Sequence, residues 1–215
     1  MKFNILTLFK ESIEPYIQSS ILQKAIEKNL LEVDLINFRD FSSNKHKKVD
    51  DTPYGGGAGM VLQAQPIIDT IKDIKKTQPE TYVIFPSPAG KTLNQNKLKE
   101  LSKKPNITLI CGRYEGLDQR AIDLVVDEEI SLGEFILCGG EIPSLCILEG
   151  VSRLLPGVLG NDESILEESY SKEIDGKKTH PVYTKPELVE GLKVPEVLIS
   201  GNHKKIKEWK RNNLR

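Results

Sequence analysis

The sequence predicts an α/β fold, a parallel sheet with helices on both faces. Three observations lead there. Apolar runs at residues 2–9, 31–38, 81–85 and 107–111 have strand length, and segments with helical apolar spacing separate them. The run 107–111 breaks into Gly112-Arg113-Tyr114-Glu115-Gly116, a turn bracketed by glycines. A second break, Ser131-Leu132-Gly133, leads through a short strand at 135–137 and Gly139-Gly140 into a helix with Pro143 in its first turn. Strands that feed glycine turns and then helix starts build small-molecule pockets in α/β sheets.

In chain order, residues 2–9 (KFNILTLF) form a first buried strand. Ser12 is placed to cap a helix that carries Ile13, Tyr16, Ile17, Ile21, Leu22, Ala25 and Ile26 at helical spacing. Residues 31–38 alternate as a second strand, with Leu31, Val33, Leu35 and Phe38 inward. Residues 39–59 lack periodicity and end in Pro53-Tyr54-Gly55-Gly56-Gly57-Ala58-Gly59. A connection of that length in a compact domain is either functional or disordered. Its interleaving with Asp50, Asp51, Pro53 and Tyr54 is unlike a plain linker.

Residues 65–75 form a helix, and 81–85 a third strand that ends at a Pro86/Pro88 turn. Residues 93–101 form a short helix, with Lys97, Lys99 and the following Lys103 outward. The apolar helix 141–154 offers Ile142, Leu145, Cys146, Leu148 and Val151 to the core, and Pro156 and Gly157 stop it. Residues 161–178 are acidic and polar and read as an interdomain linker. A small C-terminal unit follows, and its final helix sets Lys204, Lys205, Lys207, Lys210 and Arg211 around a stripe of Ile206 and Trp209. The expected organisation is a domain over 1–160, a flexible linker over 161–178 and a small domain over 179–215.

Composition excludes several classes. A hydrophobic share of 38% with 28% charged residues suits a soluble globular protein with a full core. No run is long and apolar enough for a membrane span, and a strand beginning at residue 2 leaves no room for a targeting segment. Cys111, Cys138 and Cys146 have no metal-like spacing, and an odd count fits reduced cytoplasmic thiols. His46, His180 and His203 are scattered, which argues against a zinc site. A net charge of −1 does not advertise nucleic-acid binding, although 45–48 (KHKK) and 204–215 are locally basic. Neither GxGxxG nor GxxxxGK[ST] occurs, so the glycine turns are not a nucleotide fingerprint of those kinds.

Five blocks carry a resemblance: CGRYEG at 111–116, SLGEFILCGGEIP at 131–143, VSRLLPGVLG at 151–160, VDDTPYGGGAGM at 49–60 and VLISGNHKKIKEW at 197–209. Together they resemble the bacterial tRNA (guanine-N1) methyltransferases of the TrmD type, within the knotted SPOUT superfamily. The likeness runs from Met1 to about Trp209, with the blocks in the family's order. It implies a deep trefoil knot threaded through about 85–143, in the C-terminal half of the first domain, which patterning alone does not suggest. It implies a small helical tRNA-binding domain at the C-terminus, here shortened, since many relatives continue into a further basic segment.

The implied reaction moves a methyl group from S-adenosylmethionine to N1 of the guanine just 3′ of the tRNA anticodon, which protects the reading frame. Such chemistry needs donor positioning, a general base for the N1 proton, a cation for charge growing on O6, and a target base drawn out of its stack. By resemblance the cofactor is held by Phe85, Pro86, Ser87, Gly112, Tyr114, Glu115, Ser131, Leu132, Gly133, Glu134, Phe135, Ile136, Leu137, Gly139, Gly140 and Pro143. The guanine is held by His46, Asp50, Tyr54, Gly57, Ala58 and Gly59, where the family usually has Pro at the position of Ala58. Arg153 is the implied O6 cation. Glu168 is the implied base, in Glu167-Glu168-Ser169-Tyr170, where the family usually reads Glu-Asp-Ser-Phe. Lys185 replaces a frequent Arg and loses a bidentate phosphate fork.

The family also implies a cytoplasmic homodimer with the active site shared between chains, and the use of Mg²⁺ without a dedicated protein site. Two other readings stay open at this level: a related knotted methyltransferase acting on another RNA, and a non-catalytic module that binds an adenosine ligand or RNA. The pairing of a base with a cation favours the enzyme.

Overall fold

A strand apolar on both faces is stable only between two layers of helices, and the five-stranded sheet of the first unit lies in such a sandwich. The computed structural model describes residues 1–160 and 168–215. The chain divides into two units, Met1–Leu159 and Gly160–Arg215. Residues 161–167 of the linker expected over 161–178 lie outside the described ones.

The first strand, β1, spans Lys2–Leu6, shorter than the run in the sequence. Just past it, the Thr7 amide still donates to Ile36 O at 3.0 Å and its hydroxyl donates to Glu141 Oε1 at 3.0 Å. The helix expected from Ser12 forms in two pieces, α1 (Glu14–Ile17) and α2 (Ser20–Glu27). Ser12 caps neither, since its hydroxyl donates to the carbonyl of Phe9 at 2.7 Å. The break falls where the Ser19 hydroxyl turns back to the carbonyl of Tyr16 at 2.7 Å, the usual competition of serine with helical bonding.

β2 (Glu32–Ile36) is an edge strand. The stretch after it is not wholly irregular: β3 (Asp50–Asp51) pairs antiparallel with β4 (Val61–Leu62), and Val49 is buried. α3 (Ala64–Thr77) buries Ile67, Ile71 and Ile74 at helical spacing. β5 (Tyr82–Thr92) does not end at the prolines as expected. Residues 87–90 loop out between Pro86 and Lys91, and pairing resumes at Lys91 and Thr92. α4 (Gln95–Leu101) is capped by Asn94, whose side chain accepts from Lys97 N at 3.0 Å. Lys97, expected outward, turns to Glu128 at 3.0 Å.

β6 (Asn106–Ile110) runs between β1 and β5. Two elements that the sequence reading did not separate follow, α5 (Gln119–Val125), capped by Asp118, and β7 (Glu128–Ser131). The strand expected at 135–137 does not form: those residues are an exposed loop, and the strand pairing lies upstream in β7. α6 (Glu141–Ser152) buries Ser144, Ile147, Leu148 and Val151. Ile142 and Cys146, expected in the core, are exposed, because the inward face is the 144/147/148/151 row.

The five main strands are parallel, in the order β2-β1-β6-β5-β7. Their side chains alternate between two cores. Phe3, Ile5, Ile84, Ile107 and Leu109 pack with α1, α2, α4 and α6 residues, whereas Leu6, Val83, Phe85 and Ile110 pack with α3 and α5. Helices thus cover both faces. In the second unit, β8 (Leu188–Val189) and β9 (Leu192–Lys193) form a small hairpin, followed by α7 (Glu196–Ile199) and α8 (His203–Asn212). His180 and Tyr183 meet the edge of the Trp209 ring at centroid distances of 6.0 and 6.3 Å. Residues 168–178 belong to this unit, with Tyr170 N bonded to Lys177 O and Lys178 N to Arg215 O.

The end of the looped-out segment of β5 rests directly on β7: a Cβ on Gly90 would overlap the backbone of Glu129 and Ile130. Gly90→Ala should therefore destabilise the protein by about 1–3 kcal/mol. Gly160→Ala, which adds a methyl in open space, should stay within about 0.5 kcal/mol of the parent. Denaturant unfolding of the two variants checks this, and equal stabilities would remove the packing constraint.

Candidate active site

The C-terminal ends of β6 and β7 and the looped-out segment of β5 between them open into one cleft of about 470 Å³. Ligands of open α/β sheets sit at this end of the strands. Three segments wall it: the loop after Phe85, the 112–116 turn, and residues 131–140, with Pro143 of α6 closing one side. Its size and its mix of apolar and polar lining residues fit an adenosine-type ligand. Phe135, Ile136 and Leu137 are 53%, 78% and 40% exposed, and this apolar surface faces a cavity that a ligand can fill.

Of the residues expected to hold a cofactor, Phe85, Pro86, Ser87, Gly112, Tyr114, Glu115, Ser131, Leu132, Gly133, Phe135, Ile136, Leu137, Gly139, Gly140 and Pro143 line this cleft. Glu134 does not; it is exposed beside it. Arg113, Gln119, Glu129 and Cys138 also line the cleft, and the sequence reading did not select them.

The two glycine turns are joined through the main chain. Gly140 N donates to Gly112 O at 2.8 Å, and Arg113 bridges to Gly139. A Cβ on Gly140 would sit 2.7 Å from both Cys111 Cα and Gly112 N, so only glycine lets the segments approach this closely. Side chains add a second tie. Arg113 Nε and Nη2 donate to the two carboxylate oxygens of Glu141, each at 3.1 Å. Glu141 is 5% exposed, accepts from Thr7 as well, and lies in the first turn of α6, where negative charge is favoured. The Phe9 ring packs under the guanidinium at 4.5 Å. The available signals for this pair were an arginine inside a glycine-bracketed turn and an acid directly after a glycine pair.

Cys111 lies beneath the turn, with Sγ 3.3 Å from Ser144 Oγ. Burial pushes its thiol well above the ordinary range, so it is a packing residue rather than a nucleophile.

The glycine-rich loop expected to hold the guanine reaches the same turn. Glu115 N donates to Met60 O at 2.9 Å, and Leu62 N to Gly116 O at 2.9 Å. A methyl on Gly59 would lie 2.5 Å from Glu115 Oε1. Gly59 and the cleft residue Glu115 are thus brought together. Tyr54 is 99% exposed, Gly57, Ala58 and His46 are exposed, and Asp50 is half-buried in β3.

Arg153 ends α6, its amide bonded to Glu149 O at 3.0 Å. Twelve helical residues separate it from the Gly140 end, about 18 Å at 1.5 Å per residue. Arg153 is not among the residues that line the cleft. Glu168 is half-buried in the second unit, where its carbonyl accepts from Ser171 N at 3.0 Å. Its neighbour Glu167 lies outside the described residues. Among the described residues, no group of three or more His, Cys, Asp or Glu side chains could hold a metal ion, and no helix is long and apolar enough to cross a membrane.

A family model described as tRNA (Guanine-1)-methyltransferase TrmD matches residues 1–215. The tRNA (guanine-N(1)-)-methyltransferase of Clostridioides difficile (strain 630) is 53% identical over 213 residues, covering 98% of this chain and 91% of that protein. The enzyme of the same name from Bacillus subtilis (strain 168) is 49% identical over 211 residues, covering 98% and 86%. Among solved structures, the tRNA (m1G37) methyltransferase from Aquifex aeolicus matches with a TM-score of 0.81 and 44% identity, over 98% of this chain and 88% of that one.

Proposed function

This chain belongs to the TrmD family of tRNA (guanine-1)-methyltransferases, and from that premise we propose how its residues divide the work. The protein is an enzyme that transfers a methyl group from S-adenosylmethionine to N1 of guanine in tRNA, at the position just 3′ of the anticodon. The observation that carries the division of labour is the junction at Glu115, where the glycine-rich loop abuts the cleft wall. Donor and acceptor sites side by side are what a direct transfer needs.

The cleft residues expected from the sequence bind the cofactor, with main-chain groups of the turns taking its polar edges and Leu132, Leu137 and Pro143 enclosing the adenine. When bound, it supplies an electrophilic methyl on a sulfonium. Loop residues Asp50, Tyr54, Gly57, Ala58 and Gly59, with His46, hold the flipped guanine. Glu168 takes the N1 proton onto its carboxylate, and Arg153 donates to O6 as negative charge grows there. Magnesium enters with the RNA or the cofactor. The small C-terminal unit binds tRNA through the basic side of α8, and the cytoplasm is the compartment.

Two features support a homodimer with a shared site. The rise of about 18 Å along α6 sets Arg153 at the opposite end of its helix from Gly140, which favours a second copy as the source of the O6 cation. α6 carries apolar side chains around its circumference, yet Ile142 is 60% exposed in the single chain. The close main-chain crossing of 112 and 140, and the packing of Gly90 on β7, support the trefoil knot over 85–143.

If Glu168 is the base, Glu168→Gln should lower single-turnover methylation of tRNA at saturating cofactor by about two to four orders of magnitude. Cofactor binding should survive, and Glu168→Asp should keep substantial activity. A Glu168→Gln variant within a few-fold of the parent would move the base elsewhere. Sedimentation at micromolar concentration should give about twice the chain mass of 24.1 kDa, and a fully active monomer would contradict the shared site.

A further inference from the structure

Among the described residues that line the cleft, Arg113 is the one cationic side chain, and Glu115 and Glu129 are the anionic ones. An arginine is an awkward neighbour for a ligand that carries a sulfonium. Its charge is met by Glu141 through two bonds of 3.1 Å, and the Glu141 side chain is only 6% exposed. Thr7 holds the same carboxylate oxygen that Arg113 Nε engages, at 3.0 Å, so the acid is fixed from two sides. The fork of Arg113 thereby ties the 112–116 turn to α6 without leaving net positive charge at the wall.

We propose that Glu141 is a positioning residue that cancels the charge of Arg113, and that this pair sets the cleft's preference between S-adenosylmethionine and S-adenosylhomocysteine. The inference rests on the cofactor reading above. The two ligands share adenine, ribose and the amino-acid tail, and differ by one methyl and one positive charge at sulfur. Cancelling Arg113 leaves the lining with the charges of Glu115 and Glu129, which suits the cation. After transfer the sulfur is neutral and gains nothing from them.

The test is calorimetric titration of each ligand into the full-length parent, Glu141→Gln, Arg113→Gln and the double variant. Glu141→Gln exposes the cleft to an uncancelled guanidinium and should weaken S-adenosylmethionine about five- to tenfold more than S-adenosylhomocysteine. Arg113→Gln leaves the carboxylate in excess and should shift the ratio the opposite way. The double variant should bind both ligands more weakly but restore the parent ratio to within about twofold. A merely structural tie would weaken both ligands equally in every variant, and that result overturns the inference alone. If Glu141→Gln does not fold, Arg113→Gln decides: an unchanged ratio rejects the proposal. A parent that binds neither ligand overturns the cofactor reading and takes the inference with it.

Discussion

Everything in the site hangs on one main-chain contact, the approach of Gly140 to Cys111 and Gly112. β6 and β7 are not neighbours, since β5 lies between them. Their following segments can meet only by crossing over β5, where the Phe85 ring lies 2.9 Å from the position a Cβ on Gly112 would take. The 2.8 Å bond from Gly140 N to Gly112 O fixes that crossing. Once it is fixed, both turns face one cavity, α6 starts at its rim, and the 59–62 strand end is drawn to Glu115 and Gly116. A side chain at position 140 would force apart the walls of the cleft rather than a single contact.

The ion pair behind this crossing is of a kind that seldom adds net stability, because desolvation offsets most of the attraction. Its geometry explains its presence better than its energy does. A carboxylate that receives a bidentate guanidinium and a hydroxyl fixes three chain segments in register: the end of β1, the 112–116 turn and the first turn of α6. Apolar residues of equal volume could fill the space but would set no direction for the turn.

Much of the fold was legible because buried strands advertise themselves as apolar runs, and 107–110 and 32–36 formed as strands. The errors have specific causes. Pro86 and Pro88 signalled the end of a strand, but a bulge lets β5 step over them and resume pairing with β7 at Lys91. The apolar run 135–137 looked like a strand, yet its hydrophobicity serves a cavity instead of a core. α6 is apolar on nearly every side, so its period could not tell the inward row from the outward one, and Ile142 and Cys146 were misassigned. The cleft residues were found by family resemblance attached to glycine turns. Arg113 and Glu141 were not, since a pair 28 positions apart has no local pattern.

This chain methylates N1 of the guanine following the anticodon. Methylation there blocks Watson–Crick pairing, so reverse transcriptase must stop. Primer extension on an unmodified tRNA transcript, incubated with the protein and S-adenosylmethionine, should give a new stop at that guanine, absent when cofactor is withheld. Full-length extension through that guanine under both conditions, or a stop at another nucleotide, would contradict the assignment.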